Sequence, residues 1–317
     1  MTHRLLLAFT LMCGVAGSAP AQDALEFADS LLSSGQLFRA ESLYYREAAR
    51  SPRDPAARLA LGRYLAGRGA WRVGAVLMEE ARYFGGDADT IGRYLAPVYV
   101  ALRDYKALSG LRGTPLGRPE RLRAEHLARY PPTTTGPDST SIQWVVPAEG
   151  LGAVAIIAGS DTILAELDPR ETGIVLGPGM RARRWLTRFP PRGTDPGATT
   201  PAVYVATRIA LGDLVLTGVP VRIDASGTRA RIGLDVLERL APTFDPRTRL
   251  VLLRRNGRLR PDSLTATMPT LRQASGLMVA WQGSLLQLDE YSVAQLLRTN
   301  PWTLDARRGM IRVHQGN

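Results

Sequence analysis

Asp168 is the residue of this chain best placed to do chemistry. In "ILAELDPRETGIVLGPGM" (163–180) an apolar run delivers the acid to a short polar turn, and a second apolar run stops at Gly177-Pro178. That layout presents a carboxylate at the tip of a loop between strands, where it could act as a general acid or base. Its neighbours are odd company for such work. Pro169 offers neither a hydroxyl nor an N–H, and Arg170 sets a cation beside the acid, which works against a proton shared with a second carboxylate. A second acid has one candidate: "QLDEY" (287–291) echoes "ELDPR". Asp289, however, precedes "YSVAQLLRT" and reads as a helix N-cap.

Other patterns carry less. "RARRWLTRFPPR" (181–192) sets Arg181, Arg183, Arg184 and two further arginines just after the acid loop. Such a cluster either binds a carboxylate or acidic peptide or forms a solvated face. "GPGMRA" (177–182) satisfies a G-x-G-x-x-A pattern, but the Asp195 that would complete a dinucleotide site lies in loop-like "RGTDPGAT". HExxH and GxSxG are absent, and His126 and His314 lack ligand-like neighbours. No metal site and no cofactor are expected.

The elements that must position Asp168 fall into three regions. Residues 1–21 read as a leader: Arg4, an apolar run from Leu5 to Ala16, and an A-x-A site at Ala19-Pro20-Ala21. Cleavage after Ala21 and a periplasmic or secreted location are the expectation. Cys13 is the only cysteine and would leave with that leader, which excludes disulfides, a thiol nucleophile and thiolate metal ligands. No later segment is long and apolar enough to form a transmembrane helix.

Residues 22–130 are helical in pattern and carry a repeat. Gly35 and Gly69 lie 34 positions apart, each closing one helical run and opening the next, and Ala40 and Gly74 hold equivalent places. A helix–turn–helix period of this length resembles the tetratricopeptide repeat; generic antiparallel helices are the alternative. Such arrays present a concave surface to a peptide or protein ligand, or else act as a prop for the next domain. "PPTTTGPDST" (131–140) reads as a linker. Beyond it, short Val/Ile/Leu/Thr-rich runs alternate with Gly/Pro turns, the texture of an all-β barrel or sandwich. The fold class is therefore an N-terminal α-helical repeat array followed by an all-β domain.

The formal charge of +11 comes almost wholly from arginine, Lys106 being the only lysine. An exported protein rarely meets nucleic acid, and no aromatic-interleaved basic motif is present, so nucleic acid is not an expected partner. Anionic envelope surfaces or acidic peptides fit the charge, as does a plain compositional bias toward Arg.

Three phrases in order carry a family resemblance: "ELDPRETGIVLG" (166–177), "IALGDLVLTGVPVRI" (209–223) and "RIGLDVLERLAPTFDPRTRLVLL" (231–253). Together they resemble a retropepsin-like aspartic protease domain, here over 141–255. The resemblance implies an acid-protease barrel with Asp168 as the catalytic acid and a homodimer to supply its partner, since two carboxylates share one proton to activate a water. It further implies substrate contacts at Thr172, Gly173, Arg181, Arg183, Arg184, Ile232 and Gly233, and a flap tipped by Gly193 or Gly197. It places the arginine cluster near the cleft.

Asp168-Pro169-Arg170 departs from the family's Asp-Thr-Gly or Asp-Ser-Gly. The leading expectation is thus a pseudoprotease that binds peptide or protein partners through its helical repeats and cleft, with an active aspartic endopeptidase as the alternative. Residues 256–317 read as a C-terminal β extension or a partial second lobe. There "TLDARRGMIRV" (303–313) echoes "TFDPRTRLVLL" (243–253) as a strand–turn–strand unit, with Asp305 and Asp245 in the turns.

Overall fold

The computed structural model describes residues 19–111, 116–146, 150–180, 183–191, 202–227, 229–259 and 264–314. Most of the expected leader, Arg181, Gly193, Asp195 and Gly197 lie outside them.

The helices come first: α1 (Ala19–Ser33), α2 (Leu37–Arg50), α3 (Pro55–Gly67), α4 (Trp71–Tyr83), α5 (Ala88–Leu102), α6 (Tyr105–Gly110) and α7 (Arg118–Arg129). Helices α2, α4 and α6 begin at Leu37, Trp71 and Tyr105, so the 34-residue spacing is a spacing of helix starts. Local chemistry sets the boundaries. The Asp54, Asp87 and Asp104 side chains accept from the backbone N–H groups of Ala56, Thr90 and Ala107 at 2.8–3.0 Å, each satisfying a donor the helix itself cannot pair. Small residues set the packing of α3 on α4: a Cβ on Gly74 would stand 2.7 Å from the Gly62 carbonyl oxygen.

The strands follow. The first group is β1 (Thr134–Thr135), β2 (Ser139–Val145), β3 (Ala153–Ala158), β4 (Asp161–Asp168), β5 (Ile174–Leu176), β6 (Leu186–Phe189), β7 (Val203–Ala206), β8 (Ile209–Leu211), β9 (Leu214–Leu216), β10 (Val219–Ile223) and β11 (Ala230–Gly233). Helix α8 (Leu234–Glu238) leads to β12 (Thr243–Asp245) and β13 (Leu250–Arg254). Then come β14 (Leu264–Gln273), β15 (Gly276–Trp281), β16 (Ser284–Gln287), α9 (Tyr291–Thr299), β17 (Trp302–Asp305) and β18 (Met310–His314). Their ladders close on themselves as a barrel. The segment read as a linker contributes to it: Thr134 pairs with Leu216, and β2 begins at Ser139.

Register reveals an internal repeat. Strand β13 pairs with β2 so that Val251 faces Ile142, and β18 pairs with β14 so that Ile311 faces Met268. Next along, Trp144 faces Val154, and Thr270 faces Val279. The β3–β4 hairpin sets Ala153 opposite Glu166, and β15–β16 sets Met278 opposite Gln287. Each half ends in a short helix and a hairpin, α8–β12–β13 and α9–β17–β18. The halves meet where β12 pairs antiparallel with β17, Thr243 opposite Thr303, their hydroxyls 2.8 Å apart. The result is a six-stranded ladder, β2-β13-β12-β17-β18-β14, with a local two-fold at the threonine pair. Phe244 and Trp302, both fully buried, stack beside that axis at 4.1 Å. The second half has no counterpart of β5–β11: its chain passes directly from β16 to α9.

The helical array lies against this second half. Leu271 joins the core of α1–α4, with Ala280 and Leu285 packed on it. Arg68 donates from Nη1 to the carbonyls of Thr270 and Gly309. On the other flank, Phe189, Val203 and Val205 join the core of the later helices.

Candidate functional site

Strand β4 carries the acid. Its buried residues Ala165 and Leu167 fix its face, and β11 runs parallel to it with Gly233 opposite Asp168. The loop after Asp168 then folds back to β5, which pairs antiparallel with β11. Gly233 donates its N–H to the Gly173 carbonyl at 2.8 Å. The Gly173 N–H donates to both Asp235 carboxylate oxygens, at 3.0 and 3.1 Å. This crossing is tight: a Cβ on Gly233 would stand 2.4 Å from the Glu171 carbonyl oxygen.

Asp168 Oδ1 accepts the backbone N–H of Arg170 at 2.9 Å, a local turn that requires no neighbouring chain. The Arg170 guanidinium turns away from Asp168 and closes on Asp289 in a forked pair, Nη1 to Oδ2 at 2.9 Å and Nη2 to Oδ1 at 3.1 Å. Asp289 is therefore not a helix cap; Glu290 holds the N-cap position of α9, without a side-chain bond. Asp289 ends the β15–β16 hairpin as Asp168 ends β3–β4: the Leu288 N–H bonds to Leu277 as the Leu167 N–H bonds to Gly152. The Leu277 N–H also donates to the Pro169 carbonyl at 3.0 Å, so the acid loop is docked on the second half of the barrel.

Arg231, on β11, is the hub of the remaining charges. Its Nη2 lies 3.1 Å from both Glu171 Oε1 and Asp224 Oδ2. Its Nε has no hydrogen-bond partner, and stands 4.0 Å from Asp168 Oδ2. Arg222 on β10 takes the two Glu171 oxygens at 2.8 and 2.9 Å. The Ser226 hydroxyl and N–H, with Arg231 behind them, hold the Asp224 carboxyl well below the usual carboxylate range. Asp235 goes the other way: burial, with Glu238 adding repulsion, pushes it up to about 6 against the opposing pull of Arg272.

Of the residues expected to contact substrate, Thr172, Gly173, Ile232 and Gly233 lie at the crossing beside Asp168, and Arg183 does not. Ile232 is fully buried in the core, and Gly173 and Gly233 are backbone crossing points. Thr172 is exposed in the acid loop. Arg183 pairs with Asp161 at 3.4 Å, at the opposite end of β4 from Asp168; seven strand steps separate the two ends by about 23 Å. Arg184 is exposed beside it. Arg183 is thus remote from Asp168 along β4. Sequence reasoning missed Arg231, Arg222, Asp224 and Asp235. Strand periodicity on β10 and β11 could flag such outward charges, but which acids they meet depends on the parallel crossing.

Two spaces adjoin this region. One groove of about 1280 Å³ is lined by Val145, Ile163, Leu164, Met180 and Arg229. A cavity of about 370 Å³ lies between α5–α7 and the crossing at Gly173 and Asp235. Among the described residues no cluster of His, Cys, Asp and Glu is arranged to hold a metal ion. No described helix is long and apolar enough to cross a membrane.

No family model matches the chain, and no curated protein does. Among solved structures the chain is similar to a retropepsin-like aspartic protease from Rickettsia conorii. The identity is 12%, the match covers 39% of this chain and 94% of that one, and the TM-score is 0.26.

Proposed function

We propose that this chain is an exported, retropepsin-like protein whose acid loop no longer cleaves peptides and which binds a protein or peptide partner. The observation that carries the first part is Arg170. Its N–H donates to Asp168 and its guanidinium takes both oxygens of Asp289, so a cation stands against Asp289 where a paired-acid site would set a second carboxylate. Pro169 supplies neither hydroxyl nor N–H to rebuild the missing support. The degenerate motif, the internal repeat and the order of the three sequence phrases all favour this reading.

Binding is supported by apolar surface. Phe38 and Tyr45 on α2, with Val73, Val76 and Tyr83 on α4, are exposed at 48–85%. They lie on helices of the same position in the 34-residue period, so one side of a tetratricopeptide-like array is open to a partner. The side toward β14–β16 is filled by the chain's own strands.

The competing reading, an aspartic endopeptidase, has one observation in its favour: Asp289 ends its hairpin as Asp168 does. A single chain would then bring both acids, in place of a homodimer. The test is incubation of the chain from Gln22 onward with a mixed peptide library from pH 3 to 7, beside Asp168→Asn and Asp289→Asn. We expect no cleavage at any pH from folded protein. Cleavage lost in both variants would establish the peptidase and overturn the proposal.

A further inference from the structure

We propose that the cavity between the helical array and the barrel is a binding site for a small organic carboxylate with an apolar body. The cavity measures about 370 Å³ and is lined by Trp71, Leu108 and Leu127 on its apolar side and by Arg103, Arg123 and Arg239 on its polar side. That volume is ordinary for a small-molecule site.

Its cations lack carboxylate partners. Arg103 donates to the Pro132 carbonyl and Arg239 to the Ala101 carbonyl, so both guanidiniums are held by neutral backbone groups. Arg123 makes no hydrogen bond or ion pair with any described residue. Glu120, one helical turn before it and on the same wall, forms no hydrogen bond or ion pair with it, though its charge acts on Arg123, and Glu120 has an oxygen without a donor. Of the other charges on the wall, Arg272 and Glu238 neutralise each other at 2.6 Å, and so do Arg222 and Glu171 at 2.8 Å. Asp235 is occupied by the Gly173 N–H.

Tyr105 lines the same cavity as the three arginines. The Tyr105 ring is buried at 5% exposure, and its hydroxyl has no hydrogen-bond partner among the described residues. The charges of Arg103, Arg239 and Arg123 all act on that phenol. Burial also depresses Arg103 and Arg123, and the nearness of Arg239 adds to the depression of Arg103. Arg103 and Arg123 are half-buried and Arg239 is exposed, and a ligand carboxylate in the cavity would give Arg123 and the Tyr105 hydroxyl the acceptor that no described residue supplies. The apolar wall then takes the rest of the ligand, which excludes bare inorganic anions as the preferred occupant.

The experiment is calorimetric titration of the whole chain with 3-phenylpropanoate and decanoate, each against its neutral amide and against inorganic phosphate. At least one acid is expected to bind, at least tenfold tighter than its amide and than phosphate. Arg123→Met should weaken that binding tenfold or more, and Tyr105→Phe several-fold. Equal affinity for acid and amide, no binding by either acid, or unchanged affinity in both variants would each overturn the proposal.

Discussion

Arg170 spans the two halves of the barrel: its backbone N–H is bound to Asp168 and its guanidinium to Asp289, the acids that end corresponding hairpins. One residue thereby sits between the two groups that a paired-carboxylate mechanism needs to bring together. The bridge adds little stability. Arg170 is 54% exposed and Asp289 19%, and solvent screening leaves such pairs about 0–1 kcal/mol. Arg170→Ala should therefore lower the unfolding free energy from denaturant melts by less than about 1 kcal/mol. A larger loss would mean that the bridge is what docks the two halves.

Asp305 and Arg312 form the opposite kind of pair, 2.7 Å apart with side chains only 7% and 8% exposed. Removing one partner strands a buried charge. Arg312→Leu should cost about 3–5 kcal/mol, and Asp305→Leu with Arg312→Leu much less, because a buried ion pair barely repays its own desolvation. Equilibrium unfolding of both variants measures the difference. The first half has Leu252 where Arg312 stands, so this pair belongs to the second half alone.

Asp235 gives stability a pH dependence of definite sign. Its folded value of about 6 is above the ordinary carboxylate value. The folded state therefore holds the proton more tightly, and stability falls as pH rises from about 4 to about 6. The loss is complete above that window and amounts to at most about 3 kcal/mol. Asp235→Asn keeps an acceptor for the Gly173 N–H and should flatten this slope while raising stability at pH 7–8. Melts of parent and variant across pH 4–8 check it; parallel profiles would show that Asp235 is not the group responsible.

Gly173 is irreplaceable for two reasons at once. Its φ is +69°, and a Cβ there would stand 2.4 Å from the Pro220 carbonyl oxygen. Gly173→Ala should cost more than the ~1 kcal/mol of the left-handed conformation alone, with an expected loss of about 2–4 kcal/mol from the added clash. A far smaller loss in chemical denaturation would mean that the crossing at β5 and β10 can open.

Part of this architecture is written locally and was legible. Helix starts at Leu37, Trp71 and Tyr105 follow a spacing visible in Gly35 and Gly69, the third turn being closed by Arg103 in the left-handed conformation instead of a glycine. The echo between "TFDPRTRLVLL" and "TLDARRGMIRV" proved to be a register: Thr243 and Thr303 face each other. Asp289 was misread because acid-then-Tyr-Ser at the start of a helix satisfies a capping pattern; its ion pair with Arg170 spans 119 positions and leaves no local trace. Arg231 escaped for the same reason, as its three acids come from two loops and the end of β4. The family resemblance set the arginine run near the cleft, whereas Arg183 pairs with Asp161, at the far end of β4 from Asp168.

The interlocked ladder also dictates an order of assembly. Strand β2 finds its partner only when residues 250–254 exist, and β14 waits for the last strand of the described chain. Arg68, whose helix is complete early in synthesis, bonds carbonyls 202 and 241 positions further on. Contacts of that span make closure of the barrel the slow event, whereas the helical hairpins form from neighbours in the chain. The array is then in place when the final strands arrive, and Leu271 and Leu285 pack on it in the finished fold.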